Sequence, residues 1–350
     1  VLRAARARRI AAATAYGGGG LTLVGGGTVA LLYLQARLAR RAVGSPRWDR
    51  PVVNGVYGEG SGPPIRMLMM GDSTAAGFAV ERADQTPGVL LASGLAAAAE
   101  RPVRLRCTAS PGTTSANLSV QIERSRALEE TTRYDLAVIF VGANDVIRRV
   151  RPNDAVAQLR ETVRQLVVHG TRVVVGTCPD LGTVRPIGWP LRSLARLASR
   201  QLAAAQVIAV TEAGGRAVSM SDVLADDFRT DPGSMFGPDR FHPSALGYSQ
   251  AAFAVLPSAC AALGLLPELD DAERSSGVLP VDRAAVVAAQ TPGTEVSRVD
   301  AQVDGDAPGR HGRWAALVRG PFHLRGGRGR PNGSDGVRTT ENADRSGEGG

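Results

Sequence analysis

The stretch Ile65-Arg66-Met67-Leu68-Met69-Met70-Gly71-Asp72-Ser73 decides the reading of this chain. Its first six residues are nearly continuous apolar sequence, as expected of a strand buried on both faces, and Gly71 ends it. Similar runs follow at Val103–Cys107, Leu136–Val141 and Arg172–Thr177, with a weaker one at Arg216–Met220. Helical patterns lie between and after them, at Gln85–Glu100, Asp154–His169, Leu191–Gly214 and Ser244–Gly264. In the second of these Val156, Leu159, Val163, Leu166 and Val167 share one face, and Gly170 is the stop. Alternation of this kind predicts an α/β domain of flavodoxin-like, three-layer α/β/α form with a five-stranded parallel sheet. Such folds gather their sites at the carboxyl ends of the strands.

Polar motifs stand at those ends. Gly71-Asp72-Ser73 follows the first run, Gly112 the second, and Gly142-Ala143-Asn144-Asp145 the third. A fourth, Asp239-Arg240-Phe241-His242, precedes the last helical pattern. A serine hydroxyl needs a base within hydrogen-bond reach before it is a useful nucleophile. Ser73, placed between a buried strand and an expected helix from Thr74, suits that role, and free N–H groups at a helix start suit a developing oxyanion. Taken alone, Gly-Asp-Ser is equally an ordinary capped turn. Among four histidines, His169 falls at a helix end and His311 and His323 in a low-complexity tail. His242 is left as the base, with Asp239 placed to accept from its Nδ1–H, although this pair alone would also serve as a helix cap. Candidate donors to the oxyanion are the N–H groups of Ser73 and Gly112 and the amide of Asn144.

These four blocks resemble the SGNH/GDSL hydrolase superfamily over residues 65–265, with Ser73, Gly112, Asn144 and His242 in the family's order. The resemblance implies that Ser73 is the nucleophile, that Asp239 and His242 complete a triad, and that Ser73, Gly112 and Asn144 form the oxyanion hole. Thr74 stands where the family name has Leu. The implied activity is serine esterase or lipase chemistry on a small-molecule or lipid ester through a covalent acyl-serine intermediate, with no cofactor and no metal. Acyl transfer to an alcohol, or non-catalytic binding of acyl groups or glycans, are the alternatives. The segment Cys178–Pro190 is expected to shape the acyl pocket and Phe228–Pro238 to act as a lid.

Composition removes several other classes. All 41 Lys-plus-Arg residues are arginine, which excludes a Walker A phosphate loop and Schiff-base lysine chemistry. Cys107, Cys178 and Cys260 form no CxxC pair and read as buried apolar residues. The net charge of +8 sits at the amino-terminal end: residues 1–50 hold nine arginines and one acid. That placement, beside an apolar stretch, argues for a membrane flank and against nucleic acid as a partner.

The expected organisation has four parts. Residues 1–41 form a basic-flanked transmembrane or signal-anchor segment, with an apolar helix at 10–34 that carries no charge. Residues 42–64 are a linker, 65–267 the hydrolase domain and 268–350 a low-complexity, largely disordered tail. A membrane-anchored or exported protein of the cell envelope follows, with arginines at both ends of the apolar run leaving its orientation undecided.

Overall fold

The computed structural model describes residues 30–39, 41, 48–128, 133–220, 230–265, 295–296 and 303–304. The strands are β1 (Gly55–Tyr57), β2 (Ile65–Gly71), β3 (Val103–Cys107), β4 (Leu136–Phe140), β5 (Arg172–Gly176) and β6 (Arg216–Val218). The helices that cover the sheet are α3 (Pro87–Ala99), α4 (Leu118–Leu128), α6 (Pro152–Val168), α7 (Leu191–Glu212) and α9 (Ala245–Ala262). Shorter turns of helix are α2 (Ser73–Ala76), α5 (Ala143–Ile147) and α8 (Pro232–Met235), while α1 spans residues 30–39.

Strands β2 to β6 are parallel and lie in the order β3-β2-β4-β5-β6. All five predicted strands are therefore present, but a five-stranded, all-parallel sheet is too simple. The domain has a mixed sheet of six strands, because β1 pairs antiparallel with β3, setting Gly55 opposite Leu105. The two-residue strands β7 (Glu295–Val296) and β8 (Val303–Asp304) continue it antiparallel beyond β6. β1 lies inside the stretch predicted to be a linker. Its three residues are mostly exposed, so the strand carries no apolar run by which a sequence could announce it. β7 and β8 lie where a disordered tail is expected, and pair antiparallel with β6 and with each other.

The continuous apolar runs arise because both faces of the sheet are covered. Met67, Met69, Leu105 and Val138 point into one core with Val89, Leu91, Leu95, Ala251 and Val255 of α3 and α9. Leu68, Met70, Ala137 and Ile139 point into the other with Leu118, Ile122, Leu159, Val163, Val207 and Val210 of α4, α6 and α7. Each such large side chain, fully buried, contributes at most about 1.5–3 kcal/mol. The helix α4 was not expected. Among its described side chains only Leu118 and Ile122 bring aliphatic bulk from it to the core, and the other buried ones are the polar Gln121 and Ser125.

Residues 10–29 of the predicted apolar helix lie outside the described residues. α1 begins within that run and continues past it through Arg37 to residue 39. Gln35 fixes it to the chain after β5, accepting from Leu191 N–H at 3.2 Å and donating to the Trp189 carbonyl. No helix among the described residues is long and apolar enough to cross a membrane, so the structure does not show the predicted span.

Strand order reverses between β3 and β4 on either side of β2, which opens a crevice at the carboxyl end of β2. Gly71 occupies that point. It has φ 128°, and a Cβ added to it would lie 1.9 Å from the Phe140 carbonyl oxygen of β4. Gln121 clamps its peptide from the other side, accepting from Gly71 N–H and donating to the Gly71 carbonyl, both at 2.8 Å. Ser73 is therefore delivered from a rigid strand end.

Candidate active site

The turn into α2 places Ser73. Asp72 is the N-cap and its Oδ1 accepts from Thr74 N–H at 2.8 Å, while Gly77 ends the helix in the left-handed conformation. Ser73 thus begins a helical turn, one residue earlier than expected, and its N–H has no acceptor among the described residues. Asp72 is 2% exposed, and burial pushes its carboxyl up to about 6 against the opposing pull of Thr74 N–H and His242.

His242 arrives from a loop 169 residues away. Its Nε2 lies 2.9 Å from Ser73 Oγ, and its Nδ1 lies 2.6 Å from Asp239 Oδ2. The second oxygen of Asp239 accepts from the backbone N–H groups of Phe241 and His242, each at 3.0 Å. Burial acts to raise the Asp239 pKa, but the His242 interaction and these two N–H groups outweigh it, so the carboxyl is held below its usual range. The group is consequently ionised wherever the imidazole needs an anionic partner. A tight turn makes this possible: Arg240 takes the left-handed region at φ 55° and donates its N–H to the Gly237 carbonyl.

Aromatic rings fix the imidazole plane. Phe78 lies 4.4 Å from the His242 ring centroid and Phe241 meets it edge-on at 4.8 Å. Trp48 packs behind Phe78 at 4.8 Å and donates its indole N–H to the Val80 carbonyl at 2.9 Å. Tyr248 of α9 donates its hydroxyl to the Phe78 carbonyl at 2.8 Å. Residues upstream of the predicted domain start therefore support the histidine.

Ser73, Asn144 and His242 share one cavity of about 60 Å³, whose walls include Val141, Ile147, Leu181, Val184, Phe236 and Phe241. Asn144 stands in α5, whose first residue follows Gly142 at φ 135°. Its side-chain amide has no partner among the described residues. Gly112 is not on the cavity wall. It stands on the adjoining loop with φ 78°, two residues beyond Ser110, whose N–H donates to the Gly71 carbonyl at 3.1 Å. The structure thus joins Ser73, His242, Asp239 and Asn144, and ties the Gly112 loop to the strand end that carries Ser73.

Of the expected pocket-shaping stretch Cys178–Pro190, Pro179, Asp180, Leu181, Thr183 and Val184 line the cavity. Phe236 and Pro238 of the expected lid are described and Phe236 reaches the cavity, while 228–229 lie outside the described residues.

Several supporting residues escaped the sequence reading. Gln206 of α7 accepts from Cys178 N–H at 2.7 Å and donates to the Val141 carbonyl at 3.1 Å, joining the chain ends after β4 and β5. Asp145 accepts from the N–H and hydroxyl of Ser115, fastening α5 to the loop after Gly112. Burial raises the Asp145 pKa despite these bonds. Asp145 belongs to a quoted motif, where no role was read for it; a lone glutamine within a helix gives no such signal. The three cysteines are free and buried, and no metal-binding cluster of His, Cys, Asp or Glu is present among the described residues.

Residues 69–250 match the model of the GDSL-like lipase/acylhydrolase family. A GDSL-like esterase of Mycobacterium tuberculosis is 39% identical over 232 residues, covering 63% of this chain and 73% of that protein. Among solved structures, an acetylxylan esterase from Geobacillus stearothermophilus aligns with 18% identity and a TM-score of 0.43, over 60% of this chain and 99% of that one. A member of the lipolytic G-D-S-L family from Veillonella parvula aligns with 18% identity and a TM-score of 0.41, over 55% and 96%.

Proposed function

Since the chain belongs to the GDSL-like lipase/acylhydrolase family and is an ester hydrolase, we propose that it cleaves short-chain carboxylic esters through an acyl intermediate on Ser73. One observation carries the reading: Ser73 Oγ, His242 and Asp239 form a continuous hydrogen-bonded chain at an apolar cavity. In this mechanism His242 Nε2 takes the hydroxyl proton as Ser73 Oγ attacks the carbonyl carbon. Asp239 holds the Nδ1–H tautomer and stabilises the imidazolium. The tetrahedral oxygen is received by the Ser73 N–H, the Asn144 amide and the Gly112 N–H, groups left without acceptors elsewhere in the described protein. Each such donor is worth on the order of 10²–10³ in rate. His242 then returns the proton to the departing alcohol, and water repeats the sequence to release the acid.

The cavity volume sets the acyl length. About 60 Å³ accommodates roughly four or five water-sized groups, enough for an acyl chain of a few carbons. A series of p-nitrophenyl esters tests this. The acetate and butyrate are expected to show a burst of nitrophenolate stoichiometric with enzyme, with kcat/KM about 100-fold above that of the palmitate, whose chain is too long for the cavity and has to displace its walls. Equal rates on acetate and palmitate would remove the volume argument. Steady release with no burst would count against an accumulating acyl-enzyme.

A further inference from the structure

We propose that Arg148 selects esters whose alcohol portion carries an anionic oxygen group, phosphate or carboxylate. The proposal rests on the esterase reading and adds to it the substrate's charge. Arg148 ends α5 four residues after Asn144, so the two side chains lie on the same face of the helix one turn apart. Its guanidinium reaches the second donor loop as well: a Cβ built on Gly112 would meet Arg148 Nη2 at 2.9 Å. The cation therefore stands against the Gly112 loop and one helical turn from Asn144. It is exposed, and among the described residues its side chain has no carboxylate partner and no hydrogen bond. The turn that follows brings Arg149 and Arg151, also exposed and without side-chain partners among the described residues, so no acid within this turn neutralises the site.

Charge on the opposite side assigns which half of the ester reaches Arg148. The cavity that would take the acyl chain is walled by Phe140, Val141, Leu181, Val184 and Phe241, and its charged members besides His242 are the carboxylates Asp72 and Asp180. Asp180 is paired with Arg196 and Arg200 at 3.3 and 3.1 Å, whereas Asp72 faces no cationic partner other than His242. An anionic acyl chain finds no unpaired arginine on these walls. An anionic alcohol, projecting from the carbonyl past Asn144 and Gly112, meets a free planar guanidinium whose fork of donors matches phosphate or carboxylate oxygens. A neutral alcohol gains nothing from it.

The test uses three acetyl esters on the full chain: acetylglycerol phosphate, O-acetylglycolate and neutral acetylglycerol. Arg148→Gln is expected to lower kcat/KM on the two anionic esters by about tenfold or more, carried by KM, and to leave the neutral ester within about threefold. Arg148→Lys is expected to restore part of the loss by keeping the charge, and high salt to reduce the parent's preference. Whichever anionic ester loses more identifies the group recognised. Equal losses on anionic and neutral esters, or no loss on either anionic ester, overturn the proposal. A parent protein that leaves p-nitrophenyl acetate intact overturns the esterase reading instead, so the two failures are told apart.

Discussion

Replacing Ser73 with Ala is expected to lower kcat on p-nitrophenyl acetate by about 10⁴–10⁶-fold while leaving the protein folded. The size follows from what the substitution removes. Without Oγ there is no attacking atom and His242 has no hydroxyl proton to take, although the oxyanion donors and the cavity remain and account for the residual rate. The fold is spared because the hydroxyl's bond is to His242 alone, and one hydrogen bond between partly buried groups contributes about 1 kcal/mol. The N-cap of α2 is Asp72, not Ser73, so the helical turn keeps its cap. Thermal denaturation beside the assay distinguishes the two effects. A variant with parental Tm and parental kcat would place the nucleophile elsewhere.

The second large effect is on stability. Gly71→Ala is expected to destabilise the domain by about 3–5 kcal/mol, or a fall in Tm of about 10 °C. The added methyl has to occupy space 1.9 Å from a backbone carbonyl oxygen of the adjacent strand, and neither strand can move without breaking parallel pairing in the centre of the sheet. A φ of 128° adds strain for any residue with a Cβ. Gly55→Ala supplies the control: the same change in β1 meets only the Tyr57 ring at 3.8 Å and is expected to shift stability by no more than about 0.5 kcal/mol. Equal behaviour of the two variants would show that β2 and β4 do not approach as closely as the structure has them.

Much of this architecture was legible because burial on both sheet faces writes itself into sequence. Met67 and Met69 serve one core and Leu68 and Met70 the other, so β2 reads as an unbroken apolar run that only a central strand needs. The polar motifs were legible for a related reason. Few residues outside a site have cause to place Gly-Asp-Ser, Gly-Ala-Asn-Asp and Asp-x-x-His directly beyond such strands. What escaped was structure held by backbone pairing or by single polar side chains. β1 is an exposed edge held by backbone bonds to β3, and α4 turns a face with Gln121 and Ser125 among its buried residues toward the sheet. The aromatic support of His242 escaped as well. Trp48 and Phe78 are distant in sequence from the histidine, and a tryptophan in a stretch rich in Pro and Gly carries no periodic signal.

The family also frames how the parts divide their work. Ser73 follows a strand paired on both sides, whereas His242 and Asp239 come from a loop whose geometry is fixed by the Arg240 turn and by Phe78 and Phe241. Such a division makes the serine hard to displace and leaves the base dependent on its packing partners.

Labelling with a fluorophosphonate, followed by peptide mass mapping, tests the central claim most directly: that Ser73 is made nucleophilic by His242 within one hydrogen-bonded unit. The account predicts a single stoichiometric adduct on the peptide containing Ser73, and its loss in His242→Ala. An adduct on a different residue, or undiminished labelling of Ser73 without the imidazole, would contradict it.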